Sequence, residues 1–239
     1  MLWVISFILY FSSQLHAKAL IVHCDFNPPL NYVVNEGKDF LGFTTELAKK
    51  AFSELGLDYE LSINSNSKNI ELLKKGKIDA ILSLERTDQF EDSFLWVGPL
   101  IANKWVLVGR RSKDYRLKYL KDASGYKIGV RQFHPFNDLL KSNGINAIQK
   151  TSSRELALEL KENKINLWAT GSLSLDYNMW LLRFNDYKVA FTSKEGVYIY
   201  MAFRKDSDPA LINKINIALR KLRVNGTYNE LMKKYFPKG

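Results

Sequence analysis

Short apolar runs alternate along this chain with stretches in which apolar residues recur at helical spacing. Runs of about four to eight apolar residues are typical of buried strands, and spacing of three to four residues is typical of helices. In the first half the predicted order is strand, helix, strand, helix and strand, over residues 20–23, 46–55, 59–63, 70–75 and 78–84. This order predicts a parallel sheet with helices on its faces.

The same pattern restarts after a β-rich run at 104–109. Strands are predicted at 127–130, 165–170 and 197–203, and helices at 137–141, 154–161, 209–223 and 227–235. Two α/β units are therefore joined by two β-rich crossings, near residues 106–110 and 197–204. Such an arrangement predicts two lobes with a cleft between them, and clefts between domains are preferred ligand sites.

Composition agrees with a globular protein and gives little support to a nucleic-acid partner. The chain has 239 residues, of which 46% are hydrophobic, and a net charge of +10. The basic residues are scattered along helix-like segments, which favours a solvated basic surface over a nucleic-acid footprint. Cys24 is the single cysteine, so no disulfide within the chain is possible. We expect Cys24 to be a small core residue and not a lipidation site.

The first 19 residues predict an export signal. Residues 2–11 are a ten-residue apolar run, too short to span a membrane as a helix, and Ala17-Lys18-Ala19 has the small-x-small pattern of a cleavage site. The segment before the run carries no Lys or Arg, so a buried N-terminal strand or helix stays the alternative. Cleavage after Ala19 and location in the periplasm are the expectation, and low cysteine use suits that compartment.

Six segments in fixed order carry a resemblance to a known family. They are CDFNPPLNYV at 24–33, GFTTELAKKAFSELGL at 42–57, LLKKGKIDAILS at 72–83, RTDQFEDSFLWVGPL at 86–100, YKIGVRQ at 126–132 and the segment 203–236. The chain resembles, over residues 20–239, the bacterial extracellular solute-binding proteins of family 3. These are the periplasmic binding proteins of polar amino-acid ABC transporters, and this chain looks like a divergent member.

The resemblance implies an α/β fold of the periplasmic binding protein-like type II. Lobe 1 would be residues 20–108 plus 199–239, lobe 2 residues 109–198, with a two-strand hinge and the ligand cleft between them. A small polar solute would bind there for uptake through an ABC permease of the inner membrane. The alternative is a stand-alone periplasmic sensory or partner-binding protein that keeps the fold without the amino-acid site. No cofactor is implied.

Amino-acid binders of this family usually hold their ligand with an Arg three residues after a Thr, a helix N-terminus of lobe 2, a lobe-2 Asp and a lobe-1 aromatic residue. Here Thr87 is present, but Phe90 stands where the Arg is expected. Arg86 precedes the Thr and is a candidate cleft residue. The alternative is a solvent-facing arginine that pairs with a neighbouring acid. Gly171 stands where the Asp is expected, beside Thr170. Ordinary amino-acid binding in the usual pose is therefore doubtful.

Further candidates come from lobe 2 and from the loop after the first strand. Arg131 and Phe133 stand where a tight anion-binding turn is usual, and His134 beside a proline is expected to be a surface or capping residue. The complete set of predicted ligand-binding residues is Asp25, Asn27, Tyr32, Arg86, Thr87, Phe90, Arg131, Phe133 and Thr170.

Catalysis is not expected, although some relatives of this fold are dehydratases. Enzyme chemistry would need a positioned acid–base pair in the cleft. The sequence has no Ser/His/Asp spacing, no metal-ligand cluster and no glycine-rich phosphate loop. We therefore predict no catalytic residue and no metal site.

Overall fold

The computed structural model describes residues 18–236, apart from the side chain of Glu195. The predicted signal peptide, residues 1–19, lies almost wholly outside the described residues. Within them the strands are β1 (Leu20–Cys24), β2 (Tyr32–Val34), β3 (Asp39–Leu41), β4 (Tyr59–Ile63), β5 (Ala80–Glu85), β6 (Leu95–Arg110), β7 (Ile128–Arg131), β8 (Ile148–Lys150), β9 (Leu167–Gly171) and β10 (Tyr187–Phe203). The helices are α1 (Phe43–Glu54), α2 (Asn66–Lys74), α3 (Phe136–Ser142), α4 (Ser153–Lys161), α5 (Ser172–Leu181), α6 (Pro209–Val224) and α7 (Thr227–Tyr235).

One eight-stranded sheet runs through the molecule in the order β4-β1-β5-β10-β6-β9-β7-β8. The outer pairs are parallel on both sides, whereas β10 and β6 pair antiparallel with each other and with their neighbours. The end of β10 pairs with β5, and the end of β6 pairs with β9. These two long strands thus connect two α/β halves, which confirms the predicted α/β fold.

Apolar packing divides along the same line. The buried clusters of the first half lie on either side of β1, β5 and the end of β10, beneath α1, α6 and α7 on one face and α2 on the other. Those of the second half lie on either side of β7, β9 and the end of β6, beneath α4 and α5 on one face and α3 on the other. The exact lobe boundaries given above stay a prediction.

Several elements differ from those that the apolar pattern predicted. Helix α5 was not predicted because its apolar residues surround the helix instead of forming one stripe: Leu175 is buried while Trp180 is 72% exposed. Strand β6 begins at Leu95 and not at 104, because Gly98-Pro99 interrupts the apolar run without ending the strand. The short β2–β3 hairpin and β8 were also missed.

Cys24 lies in the core, as expected. Its side chain is fully buried at the end of β1, and burial raises the pKa of its thiol to about 12. Among the described residues, no helix has the length and apolar character needed to cross a membrane.

Candidate functional site

A cleft of about 490 Å³ lies between the two halves of the sheet. The parallel strands of both halves end there: Glu85 is the last residue of β5, Arg131 of β7 and Gly171 of β9. Ligand sites of open α/β sheets form outside such carboxyl ends, where loops can contribute side chains without interrupting the ladder. The cleft therefore lies where the fold most readily places a ligand.

Five of the nine predicted site residues line this cleft, namely Asn27, Phe90, Arg131, Phe133 and Thr170. Asp25 lies next to it, bonded to Arg131. The other three, Tyr32, Arg86 and Thr87, are not among the cleft-lining residues.

The guanidinium of Arg86 is engaged away from the cleft. It pairs with Glu91, with Nε 2.7 Å from Oε2, and lies over the rings of Trp96 and Tyr200, at 5.6 and 5.1 Å from their centroids. The half-exposed pairing with a neighbouring acid that the sequence left open is thus the observed one. Thr87 has a buried hydroxyl oxygen without a hydrogen-bond partner, and Tyr32 is half-buried in the β2–β3 hairpin.

An ion pair joins the two halves across the cleft. Arg131 Nη1 donates to Asp25 Oδ2 at 3.0 Å, and Asn31 Nδ2 donates to the other carboxylate oxygen at 3.0 Å. Asp25 follows β1 and is 2% exposed, whereas Arg131 ends β7 in the other half. A second bond across the cleft runs from Ser174 Oγ to Asn27 Oδ1, at 2.9 Å.

Glu85 is a cleft residue that the sequence reasoning missed. Trp105 Nε1 and Asn103 Nδ2 donate to its two carboxylate oxygens at 3.1 and 3.0 Å. Burial raises the pKa of Glu85 to about 6, against the opposing effects of these two bonds and of the Arg131 charge. Its position at the end of a buried strand, with a turn after it, was the available signal.

Gly171 and Glu85 are linked through Asn103. An added Cβ at Gly171 would stand 2.5 Å from Asn103 Nδ2, the same nitrogen that donates to Glu85. Asn103 Oδ1 is fixed in turn by the backbone N–H of Lys104 at 3.0 Å and of Leu173 at 3.3 Å. The missing side chain at 171 therefore leaves room for an amide that orients the Glu85 carboxylate.

Aromatic and imidazole side chains complete the walls. Phe133 is 71% exposed and has a φ of +59°, an uncommon conformation for a non-glycine residue. His134 Nδ1 accepts from the backbone N–H of Phe136 at 3.1 Å, so it caps α3 as the sequence suggested, but it also lines the cleft. Burial, reinforced by the Arg131 charge, lowers the pKa of His134 to about 3, so the ring is neutral at pH 7.

This arrangement has the chemistry of a binding site. The charged side chains at its strand ends are already bonded to protein partners, Glu85 to two donors and Arg131 to Asp25. Among residues 18–236, no group of three His, Cys, Asp or Glu side chains is placed to hold a metal ion. What the cleft offers is a mixture of hydrogen-bonding groups and aromatic surface, which orients a small polar molecule.

Comparison with known proteins gives the family. The model of the bacterial extracellular solute-binding proteins, family 3, matches residues 20–238. An arginine-binding extracellular protein of Bacillus subtilis, ArtP, is 26% identical in an alignment 241 residues long. The alignment covers 94% of this chain and 88% of that relative.

Two solved structures share the fold. The arginine-, lysine-, histidine-binding protein ArtJ of Geobacillus stearothermophilus has a TM-score of 0.80 at 23% identity, over 92% of this chain and 96% of that one. A histidine kinase sensor domain with similarity to periplasmic binding proteins has a TM-score of 0.84 at 18% identity, over the same shares. Because the family model matches nearly the whole chain, the protein belongs to the bacterial extracellular solute-binding proteins, family 3.

Proposed function

We propose that this protein binds a small polar solute, an amino acid or a related compound, in the cleft between its two halves. The observation that carries the proposal is the cleft itself, which lies at the strand ends of both halves and has polar side chains of both among its walls. A solute bound there contacts both halves at once. It therefore favours the arrangement in which the halves are close, since a ligand shifts an equilibrium toward the state it binds better.

The polar contacts that such a solute makes differ from those with which binding proteins of this family usually hold an amino acid. Phe90 and Gly171 stand in the cleft wall, where the resemblance calls for an Arg and an Asp. Arg131 and Glu85 are the charged groups at the strand ends, with the base on the second half and the acid on the first. Asp25, Asn27, Phe133 and Thr170 are proposed to complete the binding surface.

Delivery to an ABC permease is the second part of the proposal. The relatives found by sequence carry names of amino-acid-binding proteins, and this supports uptake over the alternative of a stand-alone sensor. The protein would be exported through the predicted signal at 1–19, cleaved after Ala19, and would meet its permease at the inner membrane. Family membership supports a binding protein and not an enzyme.

A thermal-shift screen of purified residues 20–239 tests the binding function. A ligand that binds only the folded state raises the melting temperature, and the rise grows with the excess of ligand over the dissociation constant. We expect at least one solute among amino acids, organic acids and amines to do so. A complete absence of shifts at millimolar concentration would overturn the proposal.

A pair of tryptophan variants locates the binding site. Ser153 is half-buried in the cleft wall, so Ser153→Trp fills part of the cleft and should abolish the shift. Ser142 is exposed at the end of α3 and does not line the cleft, so Ser142→Trp should leave the shift intact. A shift that survives Ser153→Trp unchanged would place the solute elsewhere.

A further inference from the structure

We propose that the solute is an organic cation without a carboxylate group, held by its ammonium or guanidinium N–H groups on the Glu85 carboxylate. The inference rests on the proposed binding function and names the chemical class of its ligand. It follows from the charges around the cleft, from the acceptor atoms left without partners and from the hydrogen bonds that position the Glu85 carboxylate.

The charges at the cleft leave an excess of one carboxylate. Glu85 and Asp138 line it with Arg131 and Lys141, and Asp25 is bonded to Arg131 at its edge. Asp138 and Lys141 are both exposed, three residues apart on α3, so water screens both charges and they cancel in the count. The inner group of Asp25, Arg131 and Glu85 thus carries a formal charge of −1, which attracts the positive groups of a ligand and repels a ligand carboxylate.

Unpartnered acceptors point to the same ligand chemistry. Asn66 Oδ1 and Asn137 Oδ1 are both buried without a hydrogen-bond partner, and both residues line the cleft. Asn137 is only 6% exposed. A buried acceptor without a donor is costly, so a ligand rich in N–H groups gains free energy by satisfying it. Asn66 opens α2 and Asn137 lies in α3, so the two acceptors belong to opposite halves.

The basic side chains of the cleft are poor partners for a ligand carboxylate. Arg131 is bonded to the buried Asp25, and a second carboxylate at Arg131 would be repelled by the first. His134 is neutral at pH 7 and its Nδ1 is occupied by a backbone N–H. Lys141 is exposed at the rim, where water screens it.

Glu85 is pre-oriented to receive a cation. A carboxylate has about four acceptor positions, and Trp105 and Asn103 fill only two. Both donors are themselves held, since Trp105 stacks on Phe136 at 5.4 Å and Asn103 bonds to the backbone N–H of Lys104 and Leu173. The remaining positions are therefore presented in a fixed geometry, which lowers the entropic cost of binding.

Matched pairs of ligands provide the test. Isothermal titration calorimetry at pH 7.5 compares agmatine with arginine, cadaverine with lysine and histamine with histidine, each pair differing by one carboxylate. We expect at least one amine to bind about tenfold or more tightly than its parent amino acid. Equal or tighter binding of every amino acid would overturn the inference and leave the proposed function standing. If no member of any pair binds, the inference fails as well, and the broader solute screen decides the proposed function separately.

Two glutamine variants test the role of Glu85. Glu85→Gln keeps the size of the side chain and removes its charge, so it should weaken amine binding about 10- to 100-fold, the range for loss of a charge-assisted hydrogen bond. Glu60→Gln removes the same charge from an exposed residue of β4, outside the cleft, and should leave the affinity unchanged. Amine binding that is unaffected by Glu85→Gln would assign the cation to another group. The ligand comparison uses the unaltered protein and stands even if a variant fails to fold.

Discussion

At the scale of single residues, the raised pKa of Glu85 gives ligand binding a defined pH dependence. The pKa lies near 6, and a cation binds the ionised form. Affinity for an amine should therefore fall as pH drops through 6, to about one tenth at pH 5 of its value at pH 7.5. Of the groups around Glu85, Arg131 is paired with Asp25, and the low pKa of His134, about 3, keeps that ring neutral over this range.

Calorimetric titrations between pH 5 and pH 8 measure this dependence. In Glu85→Gln the weak residual binding should show no step near pH 6. A flat profile for the unaltered protein, or a step that persists in the variant, would show that another group titrates with binding.

Gly171→Ala should disturb both the fold and the site. The new Cβ would stand 2.5 Å from Asn103 Nδ2 and would push away the amide that holds Glu85. We expect a loss of about 1–3 kcal/mol in the free energy of unfolding, as for other overpacking substitutions, and weaker solute binding. Chemical denaturation measures the first effect and calorimetry the second.

Gly125→Ala is the matched control for that substitution. A methyl group added at Gly125 would meet no atom within 4 Å beyond its chain neighbours, and the residue has no positive φ. Its replacement should change the free energy of unfolding by less than about 0.5 kcal/mol. If both glycine variants change the free energy of unfolding and solute binding by the same amounts, the position of Asn103 does not depend on the absence of a side chain at residue 171.

At the scale of elements, the helix after the second crossing depends on a defined cap. Asp208 accepts from the backbone N–H of Ala210 at 2.9 Å, and Pro209 opens α6. Asp208→Ala should lower the free energy of unfolding by about 1 kcal/mol, the usual cost of losing an N-cap. Asp114→Ala loses only an exposed ion pair with Arg116 and should cost less than about 0.5 kcal/mol in the same denaturation experiment.

Elements with one clean pattern could be predicted from the sequence, and those with mixed patterns could not. Strand β4 and helix α7 lie at the predicted residues because an alternating run and an amphipathic stripe are unambiguous. Helix α5 has apolar residues on all sides, and β10 extends back to Tyr187 through polar residues. Their structure is fixed by tertiary pairing, β10 with β6 above all, which a local pattern does not contain.

At the scale of the whole molecule, the site depends on contacts between distant parts of the chain. Asp25 and Arg131 are 106 residues apart, and both could be proposed as cleft residues because each follows a predicted strand. Their pairing with each other could not be predicted from the sequence, because it depends on how the two halves approach each other. The hydrogen bonds of Glu85 could not be predicted either, because its partners Asn103 and Trp105 come from β6, a strand of the crossing.

The bond between Asp25 and Arg131 should couple the two halves energetically. Asp25→Asn leaves the Arg131 charge without its partner, and we expect a loss of about 1–3 kcal/mol, below the full cost for a buried pair because Arg131 is partly exposed. A double-mutant cycle with Arg131→Met measures the coupling from denaturation midpoints. Additive effects of the two substitutions would mean that the ion pair contributes nothing to stability.

Small-angle X-ray scattering with and without solute tests most directly the central claim, that the two halves close on a ligand in the cleft. The sample is purified residues 20–239, and the ligand is the solute with the largest thermal shift, added to saturation. We predict a smaller radius of gyration with the solute, because rotation about β6 and β10 brings the halves together. Ser153→Trp should show no such change on addition of the solute. Identical scattering of the unaltered protein with and without a saturating solute would contradict the account.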